Sequence, residues 1–167
     1  MLSILTTISA AITLAMIGVM AGIFFTFSNS VMRGLDAIDP GHAIRAMQSV
    51  NRKILNPVFL ATFTLPPILA ATTGGLLLWV GETWAAAIFF LAAATYVLGA
   101  IVPTAAVNVP LNTTLDAATV PTGTTEAARL WSDYSTRWTR WNTLRALIST
   151  ISLLIVGLAI FAWGRQW

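Results

Sequence analysis

Four uncharged stretches dominate this 167-residue chain, at 1–32, 54–81, 83–115 and 146–164. A helix needs about 20 apolar residues to cross the hydrocarbon core of a bilayer, so each stretch supplies one crossing. Only 9% of the residues are charged, whereas soluble domains carry about a quarter. The sequence therefore predicts an all-α membrane protein, a single domain over 1–167 folded as an antiparallel four-transmembrane-helix bundle. The spans are expected at about 5–27, 57–80, 84–107 and 142–163. The first stretch lacks a basic leader and is too long for a secretory signal, so it is read as a span.

The placement of charge orients the bundle. Arg33, Arg45, Arg52 and Lys53 fall between spans one and two, and Arg129, Arg137, Arg140 and Arg145 fall between or beside spans three and four. The link Gly81-Glu82-Thr83 has no basic residue, and Arg165 stands alone at the far end. By the positive-inside rule, connections 33–56 and 108–141 are cytoplasmic and both termini lie outside the cell membrane. The net charge of +3 thus serves orientation, and no nucleic-acid module is visible.

Span one contains Gly18-x-x-x-Gly22, a spacing that permits close helix contact. Asp39-Pro40-Gly41 interrupts the chain, and an amphipathic helix follows over about 43–55, with Ile44, Met47, Val50 and Ile54 on its apolar face and Asn51 beside them. Asn56-Pro57 reads as the cap and first turn of span two, which is bent near Pro66-Pro67. Asn108-Val-Pro-Leu-Asn112 is expected to terminate span three. After a threonine-rich loop, a long helix begins near Thr124 and runs from the cytoplasm into span four without a break.

The segment that leads into span four is unusual. At 100° per residue, Trp131, Tyr134, Trp138, Trp141, Asn142 and Arg145 fall within an arc of about 100°. Glu126, Arg129, Asp133 and Arg140 take the opposite side. Arg145 thus keeps company with the aromatic residues, where a cation is costly unless something requires it. Its other reading is an anchor that pairs with carbonyls at a helix end or snorkels to phosphates. The aromatic residues are either an interfacial belt or the wall of a pocket.

The topology brings Ser28, Asn29, Asn51, Asn56, Asn108, Asn112, Asn142 and Arg145 to one membrane level. With Trp131, Tyr134, Trp138 and Trp141 they have the make-up of a small-molecule site, an apolar aromatic wall with a few polar groups. Asn56 is alternatively a simple helix cap, and Asn108 and Asn112 alternatively satisfy the turn around Pro110. Ordinary catalytic equipment is scarce. There is no cysteine, the single histidine, His42, sits in a loop, and no acidic pair has metal-ligand spacing. No metal site or cofactor is expected.

The chain resembles the anthrone-oxygenase-like membrane family, a functionally broad group named for fungal enzymes. The resemblance rests on Gly22-Ile-Phe-Phe-Thr-Phe-Ser28, Ala46-Met-Gln-x-x-Asn51 with Asn56-Pro57, Asn108-Val-Pro-Leu-Asn112, and Trp131, Tyr134, Trp138, Trp141-Asn142 and Arg145. It implies oxidation of a hydroxylated anthrone by O2 without metal or flavin. On that reading Arg145, Asn142 and Tyr134 are catalytic, the first two as donors to a developing oxyanion. Trp138, Trp141, Trp131, Asn51, Asn56, Asn108, Asn112 and Ser28 bind substrate. The alternative function is a non-catalytic binder of a lipid, quinone or other apolar molecule, or an accessory subunit of a membrane assembly. The expected partners are an apolar aromatic or lipid-like small molecule and membrane lipid, with self-association as a homo-oligomer left open.

Overall fold

The structure, a computed structural model, describes residues 2–165 as five helices and no strand. Helix α1 covers Leu2–Asp36, α2 Pro40–Ile54, α3 Pro57–Trp79, α4 Thr83–Ala117 and α5 Thr124–Gly164. All but α2 are long and apolar enough to cross a membrane, which makes the chain a multi-pass membrane protein. The four long helices form a closed ring: α1 packs on α3 and α5, and α4 packs on the same two. Large apolar side chains such as Ile68, Leu98, Leu154 and Phe161 point outward, as lipid-facing residues do.

Two buried clusters divide the interior. Ile17, Met20, Phe24, Phe63, Leu77, Phe89, Tyr96 and Val156 fill the bundle. Met32, Ile44, Met47, Leu115, Trp131, Tyr134 and Trp138 fill the end formed by α2, the last turns of α1 and α4, and the start of α5. This connection end lies opposite both chain termini. Helix α5 has 41 residues, roughly 60 Å at 1.5 Å per residue, so it extends well beyond an apolar core of about 30 Å.

Local chemistry accounts for the breaks. Asp39 caps α2 by accepting from the His42 amide at 3.0 Å, and Asn56 caps α3 by accepting from the Phe59 amide at 3.0 Å, each with a proline at the first helical position. Helix α2 begins at Pro40, three residues ahead of the expected start, because that cap lies before the proline. Within α3, Pro67 cannot donate to the Phe63 carbonyl one turn earlier. The Tyr96 hydroxyl donates to that carbonyl instead, at 3.2 Å across the bundle.

Two expectations are corrected. Asn108-Val-Pro-Leu-Asn112 does not end span three, since α4 continues to Ala117. Wide π-type turns at Val97–Ile101 and Thr104–Asn108 stand just before Pro103 and Pro110, and they absorb the missing N–H groups without stopping the helix. Much of the expected connection 108–141 is therefore helical. Nor does Gly18-x-x-x-Gly22 make a close approach within the chain. A Cβ at Gly18 would meet Leu153 at an ordinary 3.7 Å, and one at Gly22 would meet nothing within 4 Å. The closest approach among the described residues is at Gly99, where a Cβ would overlap the Ile148 side chain of α5.

Candidate functional site

Between the two buried clusters lies a cavity of about 160 Å³. Helix α1 contributes Phe24 and Phe27, α2 contributes Met47 and Asn51, and α3 contributes Phe59 and Phe63. Helix α4 adds Thr104, Asn108 and Asn112, and α5 adds Trp138, Asn142 and Arg145. The mouth is apolar: Leu55, Leu60 and Val109 line it while standing 67%, 42% and 47% exposed at the outer surface of the bundle. Such an opening suits a molecule arriving from an apolar phase.

Arg145 is the electrostatic centre. Only 5% of it is exposed, and no carboxylate of the described residues pairs with it. One terminal nitrogen donates to Thr104 Oγ1 at 2.8 Å and the other to Asn142 Oδ1 at 2.7 Å, while Nε has no partner. The guanidinium carbon lies 4.5 Å from the Phe24 ring centroid and 5.5 Å from that of Trp138, within cation–π range. A buried ion normally needs an opposite charge to offset its desolvation. Here neutral acceptors and ring faces take that place.

The supporting groups are held from behind. Asn142, fully buried, donates to the Phe24 carbonyl and to Ser28 Oγ, each at 2.7 Å. Its amide nitrogen thus faces acceptors and its oxygen faces Arg145. Asn112 Oδ1 accepts from Tyr134 Oη at 2.9 Å and from Trp138 Nε1 at 2.8 Å, which fixes the ring in the wall. Asn108 Nδ2 donates to the Trp138 carbonyl at 3.3 Å. Asn51 Nδ2 donates to Asp116 Oδ1 at 3.2 Å, at the outer end of the site.

A family model described as anthrone oxygenase matches residues 57–155, more than half of the chain. The chain belongs to the anthrone oxygenase family. No curated protein and no solved structure matches it. The matched stretch in this anthrone oxygenase family member contains every cavity residue of α3, α4 and α5, while α1 and α2 complete the wall.

Of the residues singled out in the sequence, the cavity gathers Arg145, Asn142, Trp138, Asn51, Asn108 and Asn112. Six others stand elsewhere, among them Asn29, which is exposed on the outer side of α1. Tyr134 lies behind the wall, bonded to Asn112 and packed against the Trp138 ring at 6.4 Å between centroids. Trp131 belongs to the cluster at the connection end, its indole N–H donating to Asp36 Oδ1 at 2.8 Å. Trp141, at the edge of the helical arc, is 36% exposed beside Arg140 and Leu144. Ser28 is on the outer side of Asn142, and Asn56 is an exposed cap, the simpler of its two readings.

Sequence reasoning missed several participants. Phe24 and Phe27 are in the motif that carried the resemblance, and Phe59 and Phe63 share one face of α3 a turn apart. Their one-face spacing was the available signal. Asp36 also accepts from Ser135 Oγ at 2.7 Å, tying α1 to α5 below the site. Gln48 donates to the carbonyls of Leu115 and Ala118 at 2.8 and 3.0 Å. Its place on the apolar face of α2, between Ile44 and Asn51, marked it as buried. Among the described residues no group of three His, Asp or Glu gathers in metal-binding fashion.

Proposed function

We propose that the protein is a membrane oxygenase that converts an apolar polycyclic phenolic ketone of the anthrone type to the corresponding quinone with O2. The observation that carries this reading is Arg145, a buried cation with no acidic partner among the described residues, set in the wall of an aromatic cavity. An anthrone that loses a proton from its methylene carbon becomes a delocalised anion with its charge largely on the former carbonyl oxygen. A fixed guanidinium in a water-poor site stabilises such an oxyanion far better than water does. Trp138, Phe24 and Phe27 supply apolar faces for the fused rings.

The reaction balances without another reductant. The anion gives its electrons to O2, a carbon–oxygen bond forms at the former methylene, and the resulting hydroperoxide loses water to leave the quinone. One O2 is consumed and one water released. No histidine or carboxylate lines the cavity among the described residues. The protein's share is therefore stabilisation of the anion, and the proton passes to solvent base. In the membrane, the basic connections orient the site toward the cytoplasm.

Oxygen uptake by purified protein in detergent, supplied with 1,8-dihydroxyanthrone in air and under nitrogen, tests this. Acceleration over buffer that is lost in Arg145→Ala is the expected result. No acceleration by the wild type, or equal acceleration by the variant, refutes the oxygenase reading for this substrate class.

A further inference from the structure

The asparagines of the cavity have their amide orientations set by what they touch, so the site carries a defined pattern of donors and acceptors. A carbonyl oxygen can only accept, and therefore Asn108 must turn Nδ2 toward the Trp138 carbonyl. That leaves Asn108 Oδ1, on a residue only 1% exposed, as an acceptor without a donor. An indole N–H can only donate, which locks Asn112 Oδ1 toward Trp138 and leaves the Asn112 amide nitrogen uncommitted. Arg145 Nε is a buried donor without an acceptor among the described residues.

Arg145 is bonded to Thr104, and Asn108 follows Thr104 by one turn of α4. The two unmatched groups thus belong to neighbouring residues that both line the cavity. A buried acceptor without a donor is costly, and a ligand that supplies the donor relieves that cost.

We infer that the cavity reads two groups on one molecule: an oxyanion or carbonyl oxygen held by Arg145, and a phenolic hydroxyl donated to Asn108 Oδ1. This rests on the cavity being the substrate site, and it adds a requirement that oxidation itself does not impose. Oxygen reacts at the methylene whether or not a ring carries a hydroxyl. The hydroxyl is the feature by which this site selects among anthrones, with Asn108 as the selecting residue.

The test is equilibrium binding in detergent under nitrogen, where no turnover occurs. Each monohydroxyanthrone is compared with its own methyl ether, which keeps the oxygen but cannot donate. For at least one hydroxyl position, methylation should weaken binding to the wild type by about 10- to 100-fold. In Asn108→Leu that gap should shrink below about 3-fold. Wild-type affinities within about 3-fold for every pair overturn the inference, as does a gap that Asn108→Leu retains. Should the variant not fold, the wild-type gap alone decides. If hydroxylated and methylated compounds bind and are oxidised alike, selection by Asn108 fails and the oxygenase reading survives. If no anthrone binds, both fail.

Discussion

Replacing Arg145 by methionine should separate stability from ligand binding. The substitution removes two hydrogen bonds from a charged donor, to Thr104 and Asn142, each worth about 1.5–3 kcal/mol. It also removes cation–π contact with Phe24 and Trp138, about 2 kcal/mol when desolvated. Against this stands the desolvation of the ion, several kcal/mol after relaxation. No carboxylate is stranded, because none pairs with Arg145 among the described residues, and Thr104 Oγ1 keeps its bond to the Ala100 carbonyl at 2.7 Å; the one acceptor left bare is the buried Asn142 Oδ1, at about 1–3 kcal/mol. The net change should lie within about 2 kcal/mol of zero, a shift in Tm under about 8 °C for a chain of this size. Binding of an anionic ligand should fall much further. Losing a buried charge-assisted contact costs about 2–5 kcal/mol, or about 30-fold to a few thousand-fold in Kd. Thermal unfolding in detergent, followed by tryptophan fluorescence, and binding of an anthrone anion under nitrogen give the two numbers. A loss of stability above about 4 kcal/mol would refute the reasoning, because the guanidinium would then be a structural tie.

Three further outcomes are expected. Asn112→Ala strands the Tyr134 hydroxyl and the Trp138 indole N–H, and should cost about 2–4 kcal/mol in detergent unfolding experiments; a cost below about 0.5 kcal/mol would mean that neither donor depends on it. Gly99→Ala places a methyl on Ile148 and should destabilise by about 1–3 kcal/mol, with Ile148→Ala restoring part of the loss in the double variant. Single cysteines at Gly81 and Thr122, in a chain without native cysteine, should label from outside and inside respectively; labelling of both from one side would contradict the orientation.

The spans were legible because charge is so sparse, and the burial of Trp131, Tyr134, Trp138, Asn142 and Arg145 followed from one helical arc. What the arc lacked was a partner. It grouped Trp141 with the others although that residue stands at the edge, where no neighbouring helix covers it fully. It also did not distinguish Trp138, which faces the cavity, from Tyr134, which stands behind Asn112. Asn108 and Asn112 were read at the end of a helix because proline usually means a stop, and a turn that widens to accommodate proline leaves no mark in hydropathy. Nothing in the sequence singles out Asp36, because its partners, Trp131 and Ser135, are distant in sequence.

The wide turns of α4 have a consequence for its phase. Each contains one residue more than a regular α-helix would use for the same advance. Two in succession mean that Asn108 and Asn112 face the cavity at an angle the upper part of α4 would not assign to them. Removing one residue between 104 and 108 would let the helix close to regular winding while everything beyond it keeps its place, because the wide turn absorbs the extra residue. Asn112 would stay against Trp138, and the same side chains would meet α5. Removing a residue from the regularly wound stretch Thr83–Tyr96 would instead turn everything beyond it by about 100°, so the wide turns are where α4 tolerates a deletion without rotating the polar wall of the cavity.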